Sequence, residues 1–184
     1  MADTLDQSYE AGAGNEYFGY PGRTYAAQSF TSAVEGRFTK FGFQLKIGAG
    51  TPSGTLTGYL YSNNAGAPGT RLATLSNFSA STLTGSYVWY YWTQEVSVAY
   101  HILASTIYHM VVGSSIEDAG NYIHIQNGTG YAGGYGHYGD STPSWTSLSP
   151  DDRNFRQYYD TVPVSTNSLL KYRRTRSPGS ITGI

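Results

Sequence analysis

The stretch GRFTKFGFQLKIG, residues 36–48, decides the fold. Phe41, Phe43, Leu45 and Ile47 alternate with Gly42, Gln44 and Lys46. A period of two sends successive side chains to opposite faces, so this is a strand with one buried face and one polar face. The same signal recurs on both sides of it. YAAQSFTSA (25–33) alternates before it. GTPSGTLTGYLYSNNAGAPGTRLAT (50–74) reads as strand, turn, strand, with Leu56, Gly58, Leu60 and Ser62 on one face and Thr57, Tyr59 and Tyr61 on the other. NNAGAPG within it must turn, because Gly and Asn accept positive φ and Pro removes a ladder donor.

Further along, SYVWYYWTQEVSV (86–98) sets Val88, Tyr90 and Trp92 against Trp89, Tyr91 and Thr93. With aromatic residues on both faces, one side is expected in the core and the other covered or stacked. TIYHMVVGS (106–114) has the apolar content of a central strand, NYIHIQN (121–127) alternates cleanly, and RNFRQYYD (153–160) reads as a closing strand. About eight to ten short strands with turn signals between them and no helical pattern predict an all-β chain, a single antiparallel β-sandwich. Its expected boundaries are an extended N-terminal arm (1–24), where no periodicity is visible, a sandwich (25–160), and an extended C-terminal arm (161–184) whose apolar content is the patch Leu169–Leu170.

Composition agrees. Charged residues make up only 12% of the chain, while Gly (23) and Tyr (18) are abundant, and tyrosine suits pleated, half-buried positions. No cysteine is present, which removes disulfides and thiolate chemistry. The first residues lack the basic and apolar regions of a signal peptide, and no run approaches the ~18 apolar residues of a membrane helix, so neither export by that route nor membrane insertion is expected. Charge is lopsided. Residues 1–160 hold all twelve acids and seven Lys and Arg, whereas Lys171, Arg173, Arg174 and Arg176 stand in the C-terminal arm without an acid. Four cations attract an acidic surface but are few for gripping phosphates, so nucleic acid is not an expected partner.

Catalytic signatures are missing. His101, His109, His124 and His137 have no zinc spacing. Of these, His109 and His124 are expected to hydrogen-bond at a sheet surface. Asp118, Asp140, Asp151 and Asp152 could donate to calcium, but without a gathering motif they read as loop caps. Nothing pairs Glu95, Glu117 or Asp140 for acid–base work, and there is no nucleophile elbow or phosphate loop. The chain is expected not to be an enzyme and to need no metal or other cofactor. The most suggestive stretch is NGTGYAGGYGHYGDSTPSW (127–145). Tyr131, Tyr135, Tyr138 and Trp145 could contact a partner or stack on a sugar. The competing reading is framework: Tyr135 and His137 face one way and Gly134, Gly136 and Tyr138 the other, with glycines letting aromatic neighbours pack closely.

Taken in order, AAQSFT, FTKFGFQLKIGAGTPSGTLTGYLYSNNAGAPGTRLAT, YVWYYWTQEVSVAYHILASTIYHMVVGSS and GYAGGYGHYGDSTPSWTSLSPDDRNFRQY span residues 26 to 158. This series resembles a family of jelly-roll modules found in phage and metagenomic virion structural proteins and in bacterial surface proteins, with carbohydrate-binding-module-like sandwiches. The resemblance implies a jelly roll but no single ligand. The family's usual signal peptide, neighbouring domains and anchor are not seen, and the basic tail is extra. It therefore suggests a virion structural protein, foremost a capsid decoration (cement) protein of a tailed phage on the capsid surface. Such a protein would contact the major capsid protein or other virion subunits through its arms, using Leu169, Leu170, Lys171, Arg173, Arg174 and Arg176. It would form a homo-oligomer, a trimer by analogy with virion jelly rolls. The alternatives are a carbohydrate-binding module or adhesin-like fibre or tail component that binds glycans, and a self-assembling surface or filament subunit.

Overall fold

The computed structural model describes residues 3–94, 99–140 and 144–161. These residues form fourteen strands, and their only helical element is the short 3-10 turn Ala80–Thr82. No helix among them is long and apolar enough to cross a membrane. The strands are β1 (Thr4–Tyr9), β2 (Gly14–Phe18), β3 (Tyr25–Thr31), β4 (Gly36–Ile47), β5 (Thr55–Asn64), β6 (Ala67–Ser79) and β7 (Val88–Thr93). They continue as β8 (His101–Ile102), β9 (Ile107–Ser114), β10 (Ile123–Thr129), β11 (Gly136–Gly139), β12 (Trp145–Ser147), β13 (Asp151–Arg153) and β14 (Phe155–Asp160).

Two antiparallel sheets pack face to face as a β-sandwich. The six-stranded sheet runs β12-β11-β3-β9-β5-β6, with β9 near its centre. The eight-stranded sheet is built around β4. One flank of β4 pairs with β8 and then β7; the other pairs with β14 and then β10. The alternation in 36–48 is realised here: Phe41, Phe43 and Leu45 are fully buried between the sheets. Phe38 is buried too, although it falls on the other parity. A register shift opposite Tyr158 and Tyr159 inserts an extra residue in β4 and reverses its phase. From the facing sheet come Phe30, Leu56, Leu60, Met110 and Val112.

The expected N-terminal arm is corrected. β1 pairs with the outer flank of β14 and β2 with the outer flank of β10, so residues 4–18 form the edge lane of the eight-stranded sheet. The free N–H and C=O groups of β14 and β10 would otherwise lie unpaired at an edge. Asn154 fastens the lane midway: its Oδ1 accepts from Gly12 N at 2.9 Å, and its Nδ2 donates to the Gly12 carbonyl and to Gln44 Oε1. A Cβ at Gly12 would stand 2.5 Å from the Asn127 backbone, so only glycine lets the lane lie this close. The C-terminal arm, from residue 162 onward, lies outside the described residues, and with it Leu169, Leu170, Lys171, Arg173, Arg174 and Arg176.

Three of the glycines are paired with aromatic residues for one reason. Gly42 pairs with Tyr91, Gly113 with Tyr25 and Gly139 with Trp145, and in each case the partner's ring covers the glycine. A Cβ would meet Tyr91 at 2.6 Å, Tyr25 at 2.8 Å and Trp145 at 3.1 Å. Rings laid across glycines fill the sheet surface without a second side chain.

Candidate functional site

Two surfaces and one buried centre gather the aromatic and charged side chains that lie outside the hydrophobic core and could serve a function. The buried centre lies between the sheets beside β13. Arg153 is fully buried, its Nη2 is 2.7 Å from Glu16 Oε2, its Nη1 donates to the Ala27 carbonyl, and its backbone N donates to Gln28 Oε1 at 2.7 Å. Burial pushes Glu16 up and Arg153 down, each toward neutrality, and their mutual attraction opposes both shifts. Arg23 approaches Glu16 at 3.7 Å and lies over the Tyr138 ring at 4.0 Å. A Cβ at Gly136 would stand 2.6 Å from the Arg153 guanidinium, so this glycine makes room for the ion pair. The neighbouring Asp152 accepts from the backbone N–H groups of Gly130 and Tyr131 and from Gln28 Nε2, capping the loop that begins the 127–145 stretch.

The four candidate aromatics of that stretch are not brought together. Tyr131 packs edge-on against Phe155 at 4.9 Å and donates its hydroxyl to Gln7 Oε1, which makes it a flank of the core. Tyr138 faces inward to Arg23. Tyr135 and His137 face outward, with rings 5.5 Å apart, as the alternation along the strand predicts. Trp145 lies on the same outer face beside Gly139. Tyr131 and Tyr135 also line an open cleft with Thr31, Ile107, Pro150 and Asp152.

The outer face of the six-stranded sheet is concave. Trp145 on β12 lies 6.3 Å from Tyr61 on β5, although three strands separate them in the sheet order. The sheet must therefore curl, bringing the β5–β6 hairpin back over β11. Ala65 (φ 50°) and Gly66 (φ 93°) make the tight turn at its tip, and Gly66 comes to lie against the Tyr135 hydroxyl. The curl buries a second, smaller floor of Ala27, Ser29, His109, Val111 and His137. His109 and His137 meet edge to face at 5.4 Å, and His109 Nε2 is 3.0 Å from Asn63 Oδ1. Neither is a surface histidine: burial holds His109 at about 3 and His137 at about 4, with the nearby Arg153 charge adding to the shift of His137. Over this floor stand Tyr25, Tyr59, Tyr61 and Trp145, half-exposed, with Arg71 at the rim 5.5 Å from the Tyr59 ring centroid.

Because the folded state holds both imidazoles neutral and the unfolded chain protonates them near their ordinary value, stability is complete above about pH 6.5 and declines as pH falls toward 4. Thermal unfolding followed between pH 7 and 4.5 is expected to show a steadily falling Tm, with a shallower slope in His137→Asn. Equal slopes in the two proteins would show that the pair does not govern acid sensitivity.

The outer face of the eight-stranded sheet is aromatic from end to end. Register places Tyr17, His124 and Lys46 in one row, Gln44 and Trp89 in the next, then Tyr91 and Arg156 flanking Gly42, then Lys40 and Tyr158. Arg156 lies over Trp89 at 4.4 Å, Lys40 over Tyr158 at 4.5 Å and Lys46 over Tyr87 at 4.6 Å. Two of these cations are neutralised, Arg156 by Glu10 in a two-pronged pair and Lys40 by Asp3 at 2.7 Å. At one end Tyr17, Tyr20, Tyr122 and His124 form a four-ring cluster in which Tyr17 is 47% exposed. The sequence showed the rings of β7 but not this face, because most of its partners come from strands distant in the chain.

Asp118 accepts from Gly120 N and Asn121 Nδ2, the loop-cap role expected of it. Among the described residues no three His, Asp or Glu side chains are placed to hold a metal. Glu95 lies outside the described residues. Comparison of the chain with protein-family models, with curated proteins and with solved structures found no match.

Proposed function

We propose that this chain is a noncatalytic structural protein of a virion, a capsid decoration protein in kind, with a jelly-roll body that docks on neighbouring subunits. The observation that supports the reading is the outer face of the eight-stranded sheet. Tyr, Trp and Arg are the residues that concentrate binding energy at protein interfaces. Here they cover one whole face, and Glu10 and Asp3 neutralise two of its cations, so docking leaves few charges stranded. The buried ion pair and the buried histidines are committed to the fold and offer no reacting group to solvent. Residues 161–184, with four cations and no acid, add an attraction for acidic neighbouring subunits.

The test is attachment. The chain is co-expressed with a major capsid protein from its own genome, and particles are sedimented. Wild type is expected to sediment with the shells, and the Tyr17→Ala/Trp89→Ala double variant to lose at least tenfold in occupancy while keeping its fold by circular dichroism. A wild-type chain that stays in the supernatant, or a variant that attaches as well as wild type, would sink the reading.

A further inference from the structure

We infer that the concave outer face of the six-stranded sheet is a binding site for an acidic saccharide, gripped by Arg71 and the rings of Tyr25, Tyr59, Tyr61 and Trp145. The site is separate from the docking face, which lies on the other sheet, and it does not depend on the virion reading.

Three observations carry the inference. The first is shape. The curl of the sheet builds a shallow trough paved with half-exposed rings in mutual contact, with Tyr25 and Trp145 6.1 Å apart and edge to face, and Tyr25 and Tyr59 6.4 Å apart. A pyranose presents C–H groups to such rings and its hydroxyls to the polar groups between them. The second is unused hydrogen-bonding capacity. The indole N–H of Trp145, a half-exposed residue of this face, has no hydrogen-bond partner among the described residues. Buried donors are normally satisfied, so an indole N–H left open beside exposed rings has a place for an acceptor.

The third is charge. Arg71 is exposed, and no carboxylate lies within ion-pair distance of it among the described residues, whereas Arg23, Arg37, Lys40, Arg153 and Arg156 each have one. Its charge is felt by the phenols of Tyr25 and Tyr61, which it favours in the ionised form against their burial. The guanidinium and the phenols therefore converge on the same space. A guanidinium fork matches a carboxylate in two parallel hydrogen bonds. One fixed cation suffices for a sugar carrying one carboxylate per ring. A nucleic acid strand, with a charge on every phosphate, requires a row of cations, and the neutral histidines of the floor do not supply one.

The test is affinity electrophoresis and calorimetry of the full chain with hyaluronan, polygalacturonate and polysialic acid, against dextran and mannan as neutral controls, in 0.15 M salt as about the physiological ionic strength. At least one acidic polymer is expected to retard the protein. Arg71→Gln should weaken that binding at least tenfold, Arg71→Lys less, and Trp145→Ala should abolish it. Because Arg71 is exposed, its variants keep the fold, and Tyr61→Phe, which removes only a hydroxyl, gives an intermediate loss. Three results would overturn the inference: no retardation by any acidic polymer, equal binding of neutral and acidic polymers, or retardation that survives both Arg71→Gln and Trp145→Ala. Self-association of wild type that Arg71→Gln abolishes would also overturn it, since a second copy of the chain would then occupy the trough.

Discussion

Glu16→Ala is expected to destabilise the protein by about 3–5 kcal/mol, the range seen when one partner of a buried ion pair is removed. Glu16 is almost wholly buried and faces a fully buried Arg153. Removing its carboxylate leaves the guanidinium with the Ala27 carbonyl as an acceptor and no carboxylate in contact, with Asp151 acting only from a distance. Arginine cannot escape by losing its proton. The magnitude reflects a stranded charge and not the worth of the pair, so a second variant separates the two. Glu16→Leu combined with Arg153→Met removes both charges and is expected to recover much of the loss. Urea unfolding at pH 7 decides the matter: a single variant within about 1 kcal/mol of wild type would show that the charge is hydrated or compensated.

Trp92→Ala carries the second large effect, about 3–5 kcal/mol as for other buried aromatic truncations. The Trp92 ring stacks on Phe41 at 5.1 Å, meets Phe43 at 6.0 Å and Phe78 at 5.2 Å, and its Nε1 donates to the Leu56 carbonyl at 3.2 Å. It also fills the space above Gly58, where a Cβ would stand 2.5 Å from Trp92 Cβ. Truncation would open a cavity between the sheets and remove the indole's hydrogen bond to the Leu56 carbonyl. Trp89, three residues earlier on the same strand, points to the opposite face and is half-exposed. Trp89→Ala should cost under about 1 kcal/mol of stability, as surface substitutions do. Denaturant unfolding of the two variants compares the faces directly; similar losses would contradict the assigned parity.

The assignment of β7 was legible because its rings alternate faces up to the buried Trp92, although Val88, on the same parity at the strand's start, is 44% exposed. The same holds for β4 from Phe41 onward, for β5 and for β10. The first strands were hidden for a physical reason. In β2 the inward residues are Glu16 and Phe18 and the outward residue between them is Tyr17, 47% exposed. A buried carboxylate beside an exposed aromatic inverts the hydropathy pattern, and nothing local reveals that Arg153, 137 positions away, neutralises it. The site was only partly legible for a similar reason. Trp145 was visible as a candidate, but Tyr25, Tyr59, Tyr61 and Arg71 join it through a sheet curl set by tertiary packing. Tyr131 and Tyr138 share its local sequence, yet one faces the core and the other an ion pair.

The edge lane of residues 4–18 also sets the order of events at the ribosome. Thr4 pairs with Tyr159 and Tyr9 with Phe155, so β1 waits for β14. Until β14 emerges, β1 has no neighbour, and β2 must wait for β10. The wait joins chain ends that are remote in sequence, which slows folding through the entropy of closing a long loop. During it β1 stays open to strands of other chains, a window for mispairing that closes only when β14 is in place.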